Sequence, residues 1–338
     1  MQRLSSWRIV GCFLAVIALS PAAHAAARQW VAPDFFVDAG AITELPGLLR
    51  DSRGRGVTDC RANIRAVICV SRSAFDAAGD IPMTRGCAPG AEPYVAFFER
   101  VYDRLEPALQ KMFCSVKILH IEPNLESIAY AGMSFRGAEI GFRKSVIDAG
   151  LDLSRLISWK EQLPFGGVRG SYAVAPDLPQ VEIGSDAAPV EDLAYYVLSH
   201  EFGHLFDFAN DINGWRRDGW TPLSWDSRAT PLPTSDFPHR ADICYYHCSG
   251  GPLDRAVIPA LYAGLERSNF VTVYAATNVF DDWAESLAFY MLEQQGMTYE
   301  LRTGQGETYD LLSKLRAPQF APKLAWVERF LSGSIQYP

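Results

Sequence analysis

The stretch that decides the fold reads Ser199-His200-Glu201-Phe202-Gly203-His204. Pro189 and the apolar periodicity after it predict one helix over 190–209, with this stretch in its second half. Two histidines four residues apart on a helix lie on the same face, one turn from each other. Their ring nitrogens can then reach a common metal ion at about 2.1 Å. The sequence therefore predicts a buried helix that presents a pair of metal ligands.

Glu201 follows the first histidine, so its carboxylate lies beside such a metal ion without binding it. In that position a carboxylate can accept a proton from an activated water molecule and pass it to a leaving amine. The alternative is that the two histidines fall four residues apart by chance. With six histidines in 338 residues, the pattern should arise at random in about one chain in a hundred or fewer. We therefore interpret His200 and His204 as metal ligands and Glu201 as a general base.

A third protein ligand, usually a carboxylate, is needed to complete a catalytic site of this kind. The best candidates are Asp281 and Glu285, which are four residues apart and so share one face of a predicted helix. One of them can bind the metal while the other accepts a hydrogen bond from a ligating histidine. Asp282 points roughly 100° away from that face. The favourable helix dipole explains acids in a first turn, but it does not explain Glu285 in the middle of an apolar helix.

These motifs resemble those of the gluzincin metallopeptidases, most closely the branch of anthrax lethal factor and the Pro-Pro endopeptidases. The resemblance lies in His200-Glu201-Phe202-Gly203-His204, in Tyr274, and in Asp281-Asp282-Trp283-Ala284-Glu285. In that branch a Tyr, six further residues and Glu-x-x-Ala-Glu supply the transition-state donor, the third zinc ligand and a supporting acid. The resemblance thus implies Tyr274 as oxyanion donor, Asp281 as ligand and Glu285 as support. It covers about residues 93–295.

The chain departs from this branch at Asp281, where the family has Glu, one methylene longer. Either the helix lies closer to the histidines or Glu285 takes over as the ligand, and the register of Tyr274 and Ala284 favours Asp281. An inactive descendant that keeps the fold is a third possibility. The resemblance also implies Zn²⁺ as cofactor, a peptide or protein substrate, and a zincin-like catalytic domain over 93–338.

Apolar spacing predicts further elements around the histidine helix. Helices are predicted at 94–113, 254–267, 279–295, 307–315 and 322–332, and strands at 116–121, 139–142 and 181–184. A small mixed sheet beside an active-site helix and a helical C-terminal part is an α+β arrangement. The strand over 181–184 is a candidate edge along which an extended peptide could align.

Residues 1–25 have the features of a secretory signal peptide: Arg3 and Arg8, an apolar run, and Ala23-His24-Ala25 as cleavage site. We therefore expect an exported protein, secreted or periplasmic. Loss of the two arginines takes the formal net charge from -8 to -10. Such an acidic chain is a poor partner for nucleic acid or anionic membranes. No second apolar run reaches the ~20 residues of a membrane helix, so stable membrane insertion is not expected.

Six cysteines remain once Cys12 leaves with the signal peptide, an even number that indicates three disulfides in an oxidising compartment. Six cysteines can pair in fifteen ways, and the sequence does not select one of them. The preferred pairing joins near neighbours and then what remains: Cys60–Cys69, Cys244–Cys248 and Cys87–Cys114. Residues 26–92, with little periodicity, are predicted to form a Cys-rich N-terminal segment.

Two rival functions would use the same metal site. One is an exported binding module with a structural zinc ion, in which Trp215, Trp220 and Trp225 of the long loop 210–252 form a partner surface. The other is a hydrolase of a non-peptide amide, which shares the catalytic residues and differs only in its pocket. Structural zinc sites normally close with four protein ligands, so a fourth ligand would favour the binding module.

Overall fold

The computed structural model describes residues 59–71, 87–123, 125, 127–134, 137–168, 172–184, 189–214, 219–246 and 250–332. The predicted signal peptide and most of the predicted Cys-rich segment lie outside these residues. Over the described ranges the chain is α+β, as predicted, with a five-stranded mixed sheet and a three-stranded antiparallel sheet.

The described residues form nine α-helices and eight β-strands. The helices are α1 (Cys60–Val67), α2 (Glu92–Arg104), α3 (Pro107–Ser115), α4 (Lys144–Asp148), α5 (Leu153–Gln162), α6 (Pro189–Asn210), α7 (Ile258–Arg267), α8 (Val279–Gln294) and α9 (Ala321–Leu331). The strands are β1 (Ile68–Ser71), β2 (Cys87–Ala88), β3 (Val116–Glu122), β4 (Ala129–Ser134), β5 (Gly137–Arg143), β6 (Gln180–Gly184), β7 (Thr298–Arg302) and β8 (Thr308–Asp310). The predicted helices that became α6, α7, α8 and α9, and the three predicted strands, are confirmed; the first turn of the helix predicted over 254–267 is a 3-10 turn over 255–257.

One predicted helix is divided into two, and another is wrong. The predicted helix over 94–113 is interrupted, because the ring of Pro107 disfavours helical backbone at the preceding residue. Glu106 is accordingly extended, with ψ 149°, and α2 and α3 are separate helices. The predicted helix over 307–315 is instead β8 followed by a short 3-10 turn over 313–316, because β8 pairs with β7.

The five-stranded sheet has the order β2-β1-β3-β5-β4. Strands β1, β3 and β5 are parallel, and β2 and β4 pair antiparallel at the two edges. The long helix α6 packs on both β4 and α8. Strands β1 and β2 belong to the predicted Cys-rich segment, so that segment supplies part of this sheet. The domain boundary at residue 92 stays a prediction.

The outer edge of β6, in the three-stranded sheet, is already occupied by α5. The backbone N–H groups of Val181 and Ile183 donate to the hydroxyls of Ser158 and Ser154, at 2.7 and 2.8 Å. The same hydroxyls donate to the carbonyl oxygens of Val181 and Ile183, at 3.1 and 3.3 Å. The backbone groups that face away from β7 are therefore paired. The expectation that this strand offers an edge to a peptide is wrong.

Two disulfides join Cys60 to Cys114 and Cys69 to Cys87. The predicted pairs Cys60–Cys69 and Cys87–Cys114 are therefore wrong. The eight-residue helix α1 separates Cys60 from Cys69 by about 12 Å. A disulfide spans Cα atoms no more than ~7 Å apart. Cys244 is also disulfide-bonded, while its predicted partner Cys248 lies outside the described residues. These bonds agree with the oxidising compartment expected for an exported protein. No helix in the described ranges is long and apolar enough to cross a membrane.

Lys314, in the turn after β8, is a buried lysine without a carboxylate in salt-bridge distance among the described residues. Its Nζ donates to the carbonyl oxygen of Leu265, which also accepts from the backbone and hydroxyl of Ser268. Burial lowers the pKa of Lys314 to about 7. Between that value and the ordinary lysine pKa of ~10.4, the unfolded chain binds more protons than the folded one. Stability should therefore rise with pH over this window.

We expect Lys314→Met to raise the free energy of unfolding at pH 7 by about 1–4 kcal/mol, since an apolar side chain of similar volume removes the cost of the buried amine. The gain should shrink at pH 10, where the lysine is neutral in the folded state and partly neutral in the unfolded one. Urea unfolding of both proteins at the two pH values measures this. A variant less stable than the wild type at pH 7 would contradict the expectation.

Candidate metal centre

The site lies where α6 packs against α8, and small residues permit their close approach. A Cβ at Gly203 would lie 2.9 Å from the Cα of Ala284, so no larger residue fits without a shift. The indole Nε1 of Trp283 donates to the carbonyl oxygen of Gly203 at 2.8 Å, which holds the two helices together. The histidine face of α6 is thereby held against the acidic face of α8.

Three side chains bring ligand atoms to one point: His200, His204 and Asp281. The two Nε2 atoms are 3.1 Å apart. Oδ1 of Asp281 lies 3.6 Å from Nε2 of His200 and 3.5 Å from Nε2 of His204. Ligand atoms at about 2.1 Å from a four-coordinate cation are themselves about 3.4 Å apart, so the observed spacing fits such an ion. This buried His-His-Asp group could bind a metal ion.

Glu285, the other candidate ligand, is directed to the opposite side of the first imidazole. Its Oε1 lies 2.9 Å from Nδ1 of His200. The same oxygen accepts from the hydroxyl of Tyr196 at 2.6 Å and from Nζ of Lys160 at 3.0 Å. Oε2 accepts from the hydroxyl of Thr272 at 2.9 Å. Burial raises the pKa of Glu285, but Lys160 and His200 outweigh it and hold the value at about 2.

His200 lies between two carboxylates. Burial lowers the pKa of His200, but the contacts with Asp281 and Glu285 have the larger, opposite effect and raise the pKa to about 9. Burial likewise raises the pKa of Asp281, and the two imidazoles more than reverse this, to well below the ordinary value. The two carboxylates thus favour the protonated, positively charged imidazole of His200. A metal ion that binds this imidazole has to displace a proton, so metal binding should weaken in acid.

Asn278 holds Asp281 in position and was not identified from the sequence. As the N-cap of α8, its Oδ1 accepts from the backbone N–H groups of Phe280 and Asp281, at 3.0 and 2.8 Å. Its Nδ2 donates to Oδ2 of Asp281 at 2.7 Å, which leaves Oδ1 facing the imidazoles. The signal that could have revealed it is an Asn three residues before an acid at a helix start.

The carboxylate of Glu201 is near enough to His200, His204 and Asp281 to interact with them electrostatically, and it has no hydrogen-bond partner in the described part of the chain. Its side chain is almost completely buried, with 7% of the residue exposed. Burial raises the pKa of Glu201, and the nearby His200 and His204 only partly offset this. A carboxyl group with a raised pKa and no fixed partner is suited to proton exchange.

Tyr274 lies next to the first histidine, with its ring centroid 5.9 Å from that of His200. The rings of Tyr274 and Tyr245 pack nearly perpendicular, at 80°, with centroids 4.8 Å apart. Nζ of Lys160 lies 3.6 Å from the ring centroid. The phenol hydroxyl forms no hydrogen bond within the described ranges. The sequence spacing thus led to a residue at the metal group, and its role as a donor stays a prediction.

Asp282 and the tryptophans of the long loop have structural positions. Asp282 forms a buried ion pair with Nζ of Lys323, at 2.6 and 2.8 Å, and accepts from the indole of Trp225 at 2.9 Å. Trp220 and Trp225 are buried, so the expectation that they form a partner surface is wrong: they pack in the core instead. Trp215 lies outside the described residues.

No protein-family model matches this chain, and neither curated proteins nor solved structures give a match. The resemblance to gluzincin metallopeptidases therefore rests on the motif residues alone and stays a prediction. What the chain does must be inferred from the geometry around His200, His204 and Asp281.

Proposed function

We propose that this chain is an exported zinc-dependent metallopeptidase that hydrolyses peptide bonds in a peptide or protein substrate. The observation that carries the proposal is the convergence of His200, His204 and Asp281, with Glu201 in electrostatic contact with all three. Two histidines and a carboxylate are a ligand set of catalytic zinc sites, which keep the fourth position open. Among the described residues no fourth protein ligand joins the group. This favours an enzyme over a binding module with a structural zinc ion.

Zinc in such a site supplies Lewis acidity to a substrate carbonyl and to a water molecule. Glu201 accepts the proton of the attacking water and then transfers it to the leaving amine. The carboxylate of Glu285 lies 2.9 Å from Nδ1 of His200, which favours a proton on Nδ1 and keeps Nε2 available as a ligand atom. The hydroxyl of Tyr274 donates to the oxyanion that develops on the substrate, a role worth about 3 kcal/mol.

The position of β4 supports a peptide as the substrate. Within the part of the chain that the structure describes, β4 is an edge strand of the five-stranded sheet, and it packs against α6. A strand edge can pair with an extended peptide through backbone hydrogen bonds. A peptide paired with β4 would run beside the helix that carries His200 and His204.

The proposal is tested by incubating the purified mature protein with a complex peptide library and identifying new termini by mass spectrometry. We expect cleavage products that disappear when a zinc chelator is added and return with added Zn²⁺. The same protein is also assayed on non-peptide amides such as cell-wall cross-links. Metal-dependent products from those alone would replace the peptidase by an amidase. The absence of any metal-dependent product would refute both.

A further inference from the structure

We propose that Lys160 is a positioning residue for Tyr274: its ammonium lies against the phenol ring and sets the direction of the hydroxyl. The inference rests on the proposed function, because Tyr274 matters only if it donates to the substrate. Lys160 lies on α5, a helix that contains none of His200, His204, Asp281 and Glu285. The sequence motifs give no indication of this residue.

A lysine ammonium has three N–H donors, and the surroundings of Lys160 account for each of them. One donates to Oε1 of Glu285 at 3.0 Å, and another to the hydroxyl of Tyr196 at 3.3 Å. The third faces the ring of Tyr274, whose centroid is 3.6 Å from Nζ. This distance is within the range of a cation–π contact. The ring face is thus the remaining partner of the buried ammonium.

The ammonium cannot easily leave this place. Only 6% of Lys160 is exposed, and a buried charge is unfavourable unless it is paired. Its pairing carboxylate is Glu285, which Tyr196 and Thr272 also hold by hydrogen bonds. Because Glu285 contacts Nδ1 of His200 as well, one carboxylate orients the imidazole and anchors the lysine.

Several contacts hold the ring of Tyr274. Lys160 lies over one face of the ring, and the rings of Tyr245 and His200 pack against it with centroids 4.8 and 5.9 Å away. The phenol oxygen forms no hydrogen bond in the described ranges, so within these ranges the contacts of the ring are what orient it. Removal of the ammonium would take away the contact on that face of the ring. The hydroxyl would then be less well aligned for a transition state, where small misplacements lower the rate.

The test uses the full mature protein labelled with 3-fluorotyrosine and observed by fluorine NMR. The resonance that is missing in Tyr274→Phe identifies Tyr274. In Lys160→Met, which keeps an unbranched chain but no charge, we expect this resonance to shift and broaden. The matched control is Lys314→Met, another buried lysine, in which the resonance should stay unchanged. An unchanged resonance in Lys160→Met would overturn the proposal.

Kinetics provide the second measurement, on a peptide that the protein cleaves. Lys160→Met should lower kcat about tenfold with little change in KM, because the donor acts in the transition state. In the Tyr274→Phe background the same change should lower kcat clearly less, because only the part of its effect that passes through Glu285 and His200 remains. Equal losses of kcat in both backgrounds would mean that Lys160 acts elsewhere, and the proposal would fail.

The two proposals can fail separately. The NMR measurement needs no substrate, so a protein without peptidase activity can still show that Lys160 holds Tyr274. Conversely, metal-dependent cleavage with an unchanged resonance would refute the positioning role alone. If Lys160→Met does not fold, Lys160→Gln replaces it with the same expectations, because it removes the charge and keeps a donor for Glu285.

Discussion

If the chain is the proposed metallopeptidase, Glu201→Gln should abolish nearly all hydrolysis while the protein still binds Zn²⁺. The amide has almost the same shape as the carboxyl group but cannot accept the proton of the attacking water. General-base catalysis typically contributes 10²–10⁴-fold, so we expect kcat/KM to fall by about that factor. Metal binding should persist, because the three gathered ligand atoms belong to His200, His204 and Asp281. The fold should persist as well, since Glu201 has no hydrogen-bond partner among the described residues.

The measurement combines initial rates on an identified substrate with the zinc content of each variant. Asp207→Asn is the matched control: Asp207 is also a buried acid on α6, and burial raises its pKa to about 6. Its carboxylate accepts from the backbone of Asn213 at 2.7 Å, a bond that an amide oxygen can also accept. We therefore expect most activity to remain in this variant. Full activity in Glu201→Gln would remove the proposed mechanism.

The parts of the site that follow helix periodicity were predictable from the sequence. His200 and His204 share a face of α6 because residues four apart always do. The same rule links Asp281 to Glu285 on α8. It also explains why both helices were predicted with nearly correct bounds, since each is a long apolar segment.

The parts that depend on contacts between distant segments were not predictable. Lys160 meets Glu285 across 125 positions of the chain, and no local pattern encodes that contact. The close approach of α6 and α8 depends on the fit of Gly203 to Ala284. Because the two helices lie so close, Asp281 can reach both imidazoles although it is one methylene shorter than the glutamate of the gluzincin pattern.

The predicted disulfide pairing and the single helix predicted over 94–113 differ from the structure for two different reasons. Near-neighbour pairing of cysteines ignores that α1 holds Cys60 and Cys69 apart, and it therefore misses the actual partners. The break before Pro107 was readable in principle, because proline restricts the residue before it. The apolar periodicity continues across Pro107 and so predicts one helix over 94–113, whereas the proline correctly indicates a break.

The third ligand can be decided by comparing Asp281→Ala with Glu285→Ala. Oδ1 of Asp281 is within 3.6 Å of both ligand nitrogens, whereas Glu285 contacts Nδ1 of His200 on the far side of the ring. We therefore expect Asp281→Ala to lose its zinc on dialysis. Glu285→Ala should retain zinc with about 10–100-fold weaker affinity, as is typical when a partner of a ligating histidine is removed.

Zinc content after dialysis and titration against a competing chelator measure both effects, with circular dichroism as a check of folding. Removal of Glu285 leaves the ammonium of Lys160 buried without its carboxylate, which destabilises the protein. Glu285→Gln is therefore measured in parallel, because it keeps an oxygen that can accept from Lys160 and from His200. If Asp281→Ala kept its zinc and both Glu285 variants lost it, Glu285 would be the ligand. The α8 helix would then have to rotate on binding metal, since its carboxylate now faces the other ring nitrogen.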